Sequence, residues 1–161
     1  MTIISVNGAK LLDFTFLLGN ALEKFGGALI LSESKTVQDF LYEPEFVIHH
    51  TDIRPVSNTS REIIIENSGE DGLLFTVNTD EQAALNLKVG LHHSDDITVS
   101  SIANQNICVS VLTPVKTMSE QEILPCEIKI NNIDNIDILV ILAVISILLL
   151  TDKLDKNQTD I

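Results

Sequence analysis

Apolar residues recur at helical spacing in the first part of the chain. Between Ala9 and Phe25 they follow steps of three and four residues, and Gly26-Gly27 comes next. This spacing is typical of an amphipathic helix, and the two glycines indicate where the helix stops. Phe16 and Leu17 make the apolar face wide, so we expect the helix to pack against other protein.

After the first 45 residues the apolar spacing shortens to about two, which is typical of strands. The seven segments with this alternation are 46–53, 61–67, 73–79, 84–91, 96–100, 106–113 and 124–130. Seven short strands within roughly 85 residues match the size of an Ig-like sandwich. We therefore predict a mainly β protein: a seven-strand Ig-like β-sandwich with an N-terminal amphipathic helix and a C-terminal apolar helix or long strand.

The last two strand segments, 106–113 and 124–130, are predicted to form an antiparallel hairpin. Pairing their apolar faces places Val109 opposite Cys126 and turns Cys108 to the other face. A disulfide between the two cysteines is therefore not expected. Two widely separated cysteines also agree with a reducing compartment.

A stretch without any polar face follows the predicted strands, from Ile138 to Leu150. As a helix it is about 20 Å long, whereas the hydrocarbon core of a bilayer is about 30 Å thick. Asp134 and Asp137 precede it and Asp152 follows it, so its flanks lack the positive charge that anchors a short span. Asp137 is a candidate helix cap, but the many β-branched residues leave a long buried strand open.

An element that is apolar on every side has to be surrounded, and three surroundings are consistent with the pattern. They are partner subunits together with the N-terminal helix, a bilayer, or the core of the chain's own domain. The length and the acidic flanks favour the first over the second. The predicted segments are a helical arm at 1–43, the sandwich at 44–132, an apolar arm at 133–152 and a polar tail at 153–161. The predicted contact residues on the two arms are Leu11, Phe14, Leu18, Leu22, Ile138, Ile141, Ile145 and Leu149.

Composition narrows the classes of partner. Ten basic and twenty-three acidic residues give a net charge of -13, and the basic residues are scattered singly. Such a chain repels phosphate backbones, so we expect no nucleic-acid partner. The aromatic share is 4% with no Trp, so the core has to be aliphatic. The first residues lack a basic segment and Asp13 interrupts their apolar run, so no cleaved signal peptide is expected.

Candidate chemistry is sparse. His49-His50 and His92-His93 are the strongest metal signal, but neighbours in a strand point to opposite faces, so each pair offers one ligand to a site. The sequence contains no G-x-S-x-G, G-x-G-x-x-G or Walker-type motif. We therefore predict no catalytic residue, no metal ligand and no cofactor.

Two segments carry a resemblance to a known fold family. IIIENSGEDGLLFTVNTDE (63–81) and NICVSVLTPVK (106–116) resemble strands of Ig-like sandwiches of the major sperm protein and pilus-chaperone type, over about half the chain. Membrane-contact adaptors of that family bind acidic peptides through basic residues on the matching strand. Thr76 and Asn78 stand there in this sequence, and the negative charge repels such a ligand.

These observations predict a non-enzymatic structural or interaction protein. It would be a subunit of a larger homo- or hetero-oligomeric assembly of the virion, tail or filament type, located in the cytoplasm or in the assembled particle. The alternative is a tail-anchored adaptor that displays the β domain on a membrane through Ile138–Leu150. A metal-binding or enzymatic domain is the third and weakest reading, because the geometry of the candidate residues opposes it.

Overall fold

Strands dominate the structure, so the predicted mainly β class is confirmed. The computed structural model describes residues 2–7, 12–23, 28–32, 45–51, 61–79, 84–131 and 136–154. The elements in chain order are β1 (Thr2–Asn7), α1 (Leu12–Glu23), β2 (Ala28–Ser32), β3 (Phe46–Thr51), β4 (Glu62–Asn67), β5 (Gly72–Asn78), β6 (Leu85–Gly90), β7 (Ile97–Ala103), β8 (Asn106–Val111), β9 (Val115–Lys116), β10 (Glu122–Ile123), β11 (Cys126–Ile130) and α2 (Ile138–Leu150).

The chain forms two compact units. Unit 1 comprises Met1–Asn67 and Leu74–Asn86, and unit 2 comprises Ser68–Leu73 and Leu87–Ile161. Among the described strands, the hydrogen-bonded order in unit 1 is β5-β4-β1-β3-β2, and in unit 2 it is β11-β8-β7-β6, with β9 paired to β10 separately.

Unit 1 contains parallel strands. β1 pairs in parallel with β3 and with β4, and β3 pairs in parallel with β2. Parallel strands need long crossover connections, and α1 lies in the connection from β1 to β2, which flank β3 on its two sides. β1 is buried on both faces, with Ile3, Ile4 and Val6 at most 1% exposed. Burial on both faces is the usual environment of parallel strands.

The predicted N-terminal helix is confirmed, with ends inside the predicted range. α1 contacts β2 and β3, and it buries Thr15, Leu18 and Leu22. Its inward stripe therefore follows the three- and four-residue spacing that the sequence shows. β1 and β2, which flank the helix, were not predicted.

Unit 2 contains the predicted hairpin, but its register differs from the prediction. β8 pairs antiparallel with β7 and with β11, and Val109 lies opposite Ile128, whereas Cys126 lies opposite Val111. The predicted pairing of Val109 with Cys126 is wrong by two residues. Because side chains alternate with period two, an even shift keeps every residue on its predicted face. Cys108 and Cys126 accordingly lie on opposite faces, and both are free thiols.

The C-terminal apolar stretch is a helix. The side chain of Asp137 accepts a hydrogen bond from the Leu139 N–H at 2.7 Å, so the predicted cap is confirmed. At the other end Asp152 has a φ of 58°, and Lys153 N–H donates to the carbonyl of Leu148 at 2.8 Å. This left-handed residue followed by a back-bonded N–H is a Schellman-type ending.

α2 is enclosed by the chain that carries it. Every residue from Val140 to Leu150 is buried, and the helix contacts β7. Met118, in the β9–β10 link, donates its N–H to the carbonyl of Leu150 at 2.8 Å. Ser146 donates its hydroxyl to the carbonyl of Leu142 at 2.7 Å, so the one polar side chain of α2 is satisfied within the helix. Of the three surroundings considered above, the chain's own core is the one that the structure provides.

No helix in the part of the chain that the structure describes is both long and apolar enough to cross a membrane.

The seven-strand sandwich is not confirmed. Each of the seven predicted segments overlaps a strand, but β3 and β4 pair in parallel with β1, whereas Ig-like sheets are antiparallel. The sequence pattern identified the strands and could not show which strands are neighbours. The predicted division of the chain at 1–43, 44–132, 133–152 and 153–161 stays a prediction.

Candidate functional site

Most of the predicted contact residues lie inside the units rather than on their surface. Leu11 is outside the described residues, and Phe14 and Ile138 are half-buried. The fully enclosed members of the set are Leu18, Leu22, Ile141, Ile145 and Leu149. The chain itself covers these five side chains, and their predicted contact with a partner stays a prediction. The arms contribute to folding, and the exposed residues offer a second place for a contact.

The outward face of α1 carries two exposed apolar side chains that are neighbours in the sequence. Phe16 is 60% exposed and Leu17 is 43% exposed, and we call these two side chains the α1 patch. They lie on the face opposite to the buried stripe of the helix. Asp13, Asn20 and Glu23 are exposed on the same side, at helical spacing from the patch. The result is a small apolar centre with polar and acidic residues at its two ends.

The size of the α1 patch limits what it can do. A phenylalanine buries 150–250 Å² when it is fully enclosed, so the two partly covered side chains leave on the order of 200 Å² open. A stable interface covers roughly 800 Å² on each partner. The α1 patch is therefore large enough to anchor the centre of a contact and too small to form the whole of it.

Two polar pairs connect β1 and β4. Ser5 donates its hydroxyl to Oε1 of Glu62 at 3.1 Å, and both residues are buried. Asn7 donates from Nδ2 to Oε1 of Glu66 at 3.4 Å, and the Asn7 Oδ1 is buried without a partner. None of these residues was predicted as a site residue. Ser5 interrupts the apolar run from Ile3 to Val6, and that interruption is the signal that was available.

The carboxylates of Asp95 and Asp96, in the link between β6 and β7, accept hydrogen bonds that hold the link in place. Oδ2 of Asp95 accepts from the N–H of His92 at 2.9 Å, and Oδ2 of Asp96 accepts from the N–H of Lys88 at 2.8 Å. Asp96 also accepts from the hydroxyl of Thr113 through Oδ1, at 2.7 Å. These bonds hold a link of only six residues, 91–96, between strands that pair in parallel through a single residue pair. The carboxylates of the two aspartates therefore accept hydrogen bonds from backbone N–H groups of the same segment.

The histidine pairs lie in different surroundings. His92 and His93 are exposed in the β6–β7 link, and His50 is half-buried on β3. The side chain of His49 is outside the described part. Among the described residues no group of three or more His, Cys, Asp or Glu is placed to hold a metal ion.

Comparisons with known proteins give no relative. No family model matches the chain, and neither a curated protein nor a solved structure matches it.

Proposed function

We propose that the chain is a non-enzymatic structural or interaction protein that works as a subunit of a larger assembly. The observation that carries the proposal is the α1 patch. Leu18 and Leu22 already bury the inward stripe of α1, so Phe16 and Leu17 are not needed to hold the helix on its sheet. An exposed phenylalanine beside an exposed leucine has a direct use as the anchor of a contact with another protein.

The charge around the α1 patch points to the kind of partner. Asp13 and Glu23 are exposed near its two ends, and the whole chain carries a net charge of -13. A partner surface with an apolar pocket and basic residues at the rim would complement both features. Full burial of Phe16 and Leu17 would contribute about 1.5–3 kcal/mol for each side chain before the cost of association. We therefore propose a different, basic protein as the occupant of the α1 patch, within an assembled particle.

The resemblance to Ig-like sheets is retained only for part of unit 2. It applies to the antiparallel strands β7, β8 and β11. No ligand follows from it, because Thr76 and Asn78 lack the basic character that peptide-binding sandwiches of that type use.

The test compares two leucines with nearly equal exposure. Leu91 is 40% exposed, close to the 43% of Leu17, and lies in the β6–β7 link. Three affinity-tagged forms of the chain are compared: the wild type, the double variant Phe16→Gln, Leu17→Gln, and the control Leu91→Gln. Each is sedimented through a sucrose gradient in extract of its native cells. We expect wild type and Leu91→Gln to sediment in a particle much heavier than the 17.7 kDa chain, and the double variant to sediment as free chain.

Unchanged urea midpoints of the purified variants would show that they fold. Sedimentation of the wild type as free chain would overturn the proposal. Retention of the double variant in the heavy particle would also overturn it.

A further inference from the structure

β11 is an edge strand of the sheet. Among the described strands, β8 is the one that hydrogen-bonds to it, and β11 stands at the end of the strand order. An edge strand presents unpaired N–H and C=O groups, which are a template for pairing with another chain.

The inner face of β11 is incompletely covered. Val109 and Val111 of β8 are 0% and 2% exposed, whereas Ile128 and Cys126, which pair with them, are only half-buried. The apolar face of the sheet is therefore closed at β8 and at Ile130 of β11, and it is still open at Cys126 and Ile128. A further strand beside β11 would cover it.

The outer face of β11 carries one charge of each sign. Glu127 and Lys129 are both exposed and lie two residues apart on the same face. Ser110 donates its hydroxyl to Oε1 of Glu127 at 3.4 Å, which ties that carboxylate to the sheet. Lysine alone on an edge strand opposes pairing with a second copy. A Glu and a Lys at this spacing instead allow two antiparallel copies of the strand to place each glutamate opposite a lysine.

We propose that β11 pairs antiparallel with β11 of a second copy of this chain, with Ile128 on the two-fold axis. In this register Glu127 lies opposite Lys129 of the second copy, and Lys129 lies opposite its Glu127. On the inner face, Ile128 meets its own equivalent and Cys126 meets Ile130. Opposite charges that face each other across a strand pair contribute roughly 0.2–1 kcal/mol for each pair.

The other registers lose this complementarity. Parallel in-register pairing places glutamate opposite glutamate and lysine opposite lysine, which is destabilising. Antiparallel pairing centred on Glu127 or on Lys129 places that residue opposite its own copy. A shift by one residue brings the charged face of one strand beside the apolar face of the other. The same chain already uses the favoured arrangement in the short β9–β10 pair, where Glu122 lies directly opposite Lys116.

This inference deepens the proposed function, because it names a second copy as one partner of the subunit. The β11 contact and the α1 patch use different residues, so each test can fail without the other. Two copies with a charge of -13 also repel one another at long range. The measurement is therefore made at physiological ionic strength, where charges are screened beyond about 8 Å.

The experiment is sedimentation equilibrium of the purified full chain from about 10 µM to about 1 mM, a range suited to a contact that is smaller than a standard interface. The variants are Glu127→Lys, Lys129→Glu and the swap Glu127→Lys, Lys129→Glu. We expect wild type to form a dimer and each single variant to bind its copy about tenfold more weakly or worse, because both ion pairs become like-charge pairs. The swap restores opposite charges and is expected to return the dissociation constant to within about threefold of wild type.

Disulfide cross-linking tests the proposed register of the two β11 strands. In a Cys108→Ala, Cys126→Ala background, Ile128→Cys is expected to give a disulfide-linked dimer on oxidation, because opposed Cβ atoms in a strand pair lie close enough to bridge. Lys129→Cys in the same background is the control and is expected to remain monomeric after oxidation. A monomeric wild type at 1 mM, single charge variants that dimerise like wild type, or cross-linking at 129 instead of 128 would each overturn the proposal. Matching urea midpoints show that the variants fold.

Discussion

Truncation of Ile145 probes the enclosure of α2 most simply. The side chain is 0% exposed, and Ile145→Ala removes three of its carbon atoms. At about 0.8 kcal/mol for each buried carbon, the transfer term alone is about 2.4 kcal/mol. The cavity left behind adds to this loss, and the better helix propensity of alanine offsets roughly 0.4 kcal/mol. We expect the free energy of unfolding to fall by about 3 kcal/mol, within the range of roughly 2–5 kcal/mol for such truncations.

The assay is urea unfolding, with Ile102→Ala as a control of the same chemistry. Ile102 is 61% exposed on β7, so its truncation is expected to cost less than about 1 kcal/mol. With a slope of about 2 kcal/mol per molar urea, the midpoint of Ile145→Ala should fall by about 1.5 M. Equal effects of the two truncations would refute the enclosure of α2. In the Glu127→Lys background, which removes the proposed β11 contact, a midpoint that rises steeply with protein concentration would refute it as well, because it would show that association covers the helix.

Three further predictions concern residues that the structure places in specific roles. Gly90→Ala is expected to destabilise the chain by more than about 1 kcal/mol in urea unfolding, because the added Cβ would lie 2.6 Å from the Asp71 carbonyl oxygen. Asp137→Ala removes the cap of α2, and a loss of about 1 kcal/mol in the same assay is expected, whereas Asp137→Asn should lose less. Ser5→Ala leaves the buried carboxyl group of Glu62 without its hydroxyl donor and should cost about 1–3 kcal/mol, and the double variant Ser5→Ala, Glu62→Leu should recover part of that loss.

Local patterns were sufficient to identify the helices and most strands. The spacing of apolar residues places α1 and the seven predicted strand segments, because each element has to bury one face and the face repeats with its own period. Asp137 was predicted as a cap from its position before an apolar run, and its side chain accepts the Leu139 N–H. These predictions depend only on neighbours in sequence.

Pairing between strands could not be read from the same patterns. The register of β8 and β11 was predicted two residues away from the observed one, because a shift by two leaves the apolar faces matched. The parallel pairing of β1 with β3 and β4 was missed, although two signals existed. The run Ile63-Ile64-Ile65 is apolar on both faces, and a strand, a helix and a strand follow one another at 2–32.

The contact residues show why burial is hard to infer from one sequence. The apolar arms were predicted to meet partners because an all-apolar element has to be covered, and that physical premise holds for α2. The sequence does not show what covers it. In the structure Ile141, Ile145 and Leu149 are covered within the chain, and Phe16 and Leu17, which the pattern indicates only as a widening of the helical face, are among the exposed apolar residues.

The two proposed surfaces together define a type of assembly. A β11 contact with a two-fold axis uses the same residues on both copies, so by itself it closes as a dimer. The α1 patch uses other residues, so each copy of that dimer carries one such patch. A dimer with two such patches could bind two basic partners, which is the minimum needed to link subunits into a larger particle.

Native-state hydrogen exchange of the α2 amides tests the central claim most directly. The purified Glu127→Lys variant, which lacks the proposed β11 contact, is exchanged in detergent-free buffer at about 5 µM and about 200 µM, and protection is followed at Leu142–Leu150, whose amides lie beyond the first turn of the helix. Because the chain itself encloses α2, we predict that these amides exchange only through global unfolding, with the same protection at both concentrations. Exchange at the rate of an exposed helix, or protection that disappears on dilution, would contradict the account.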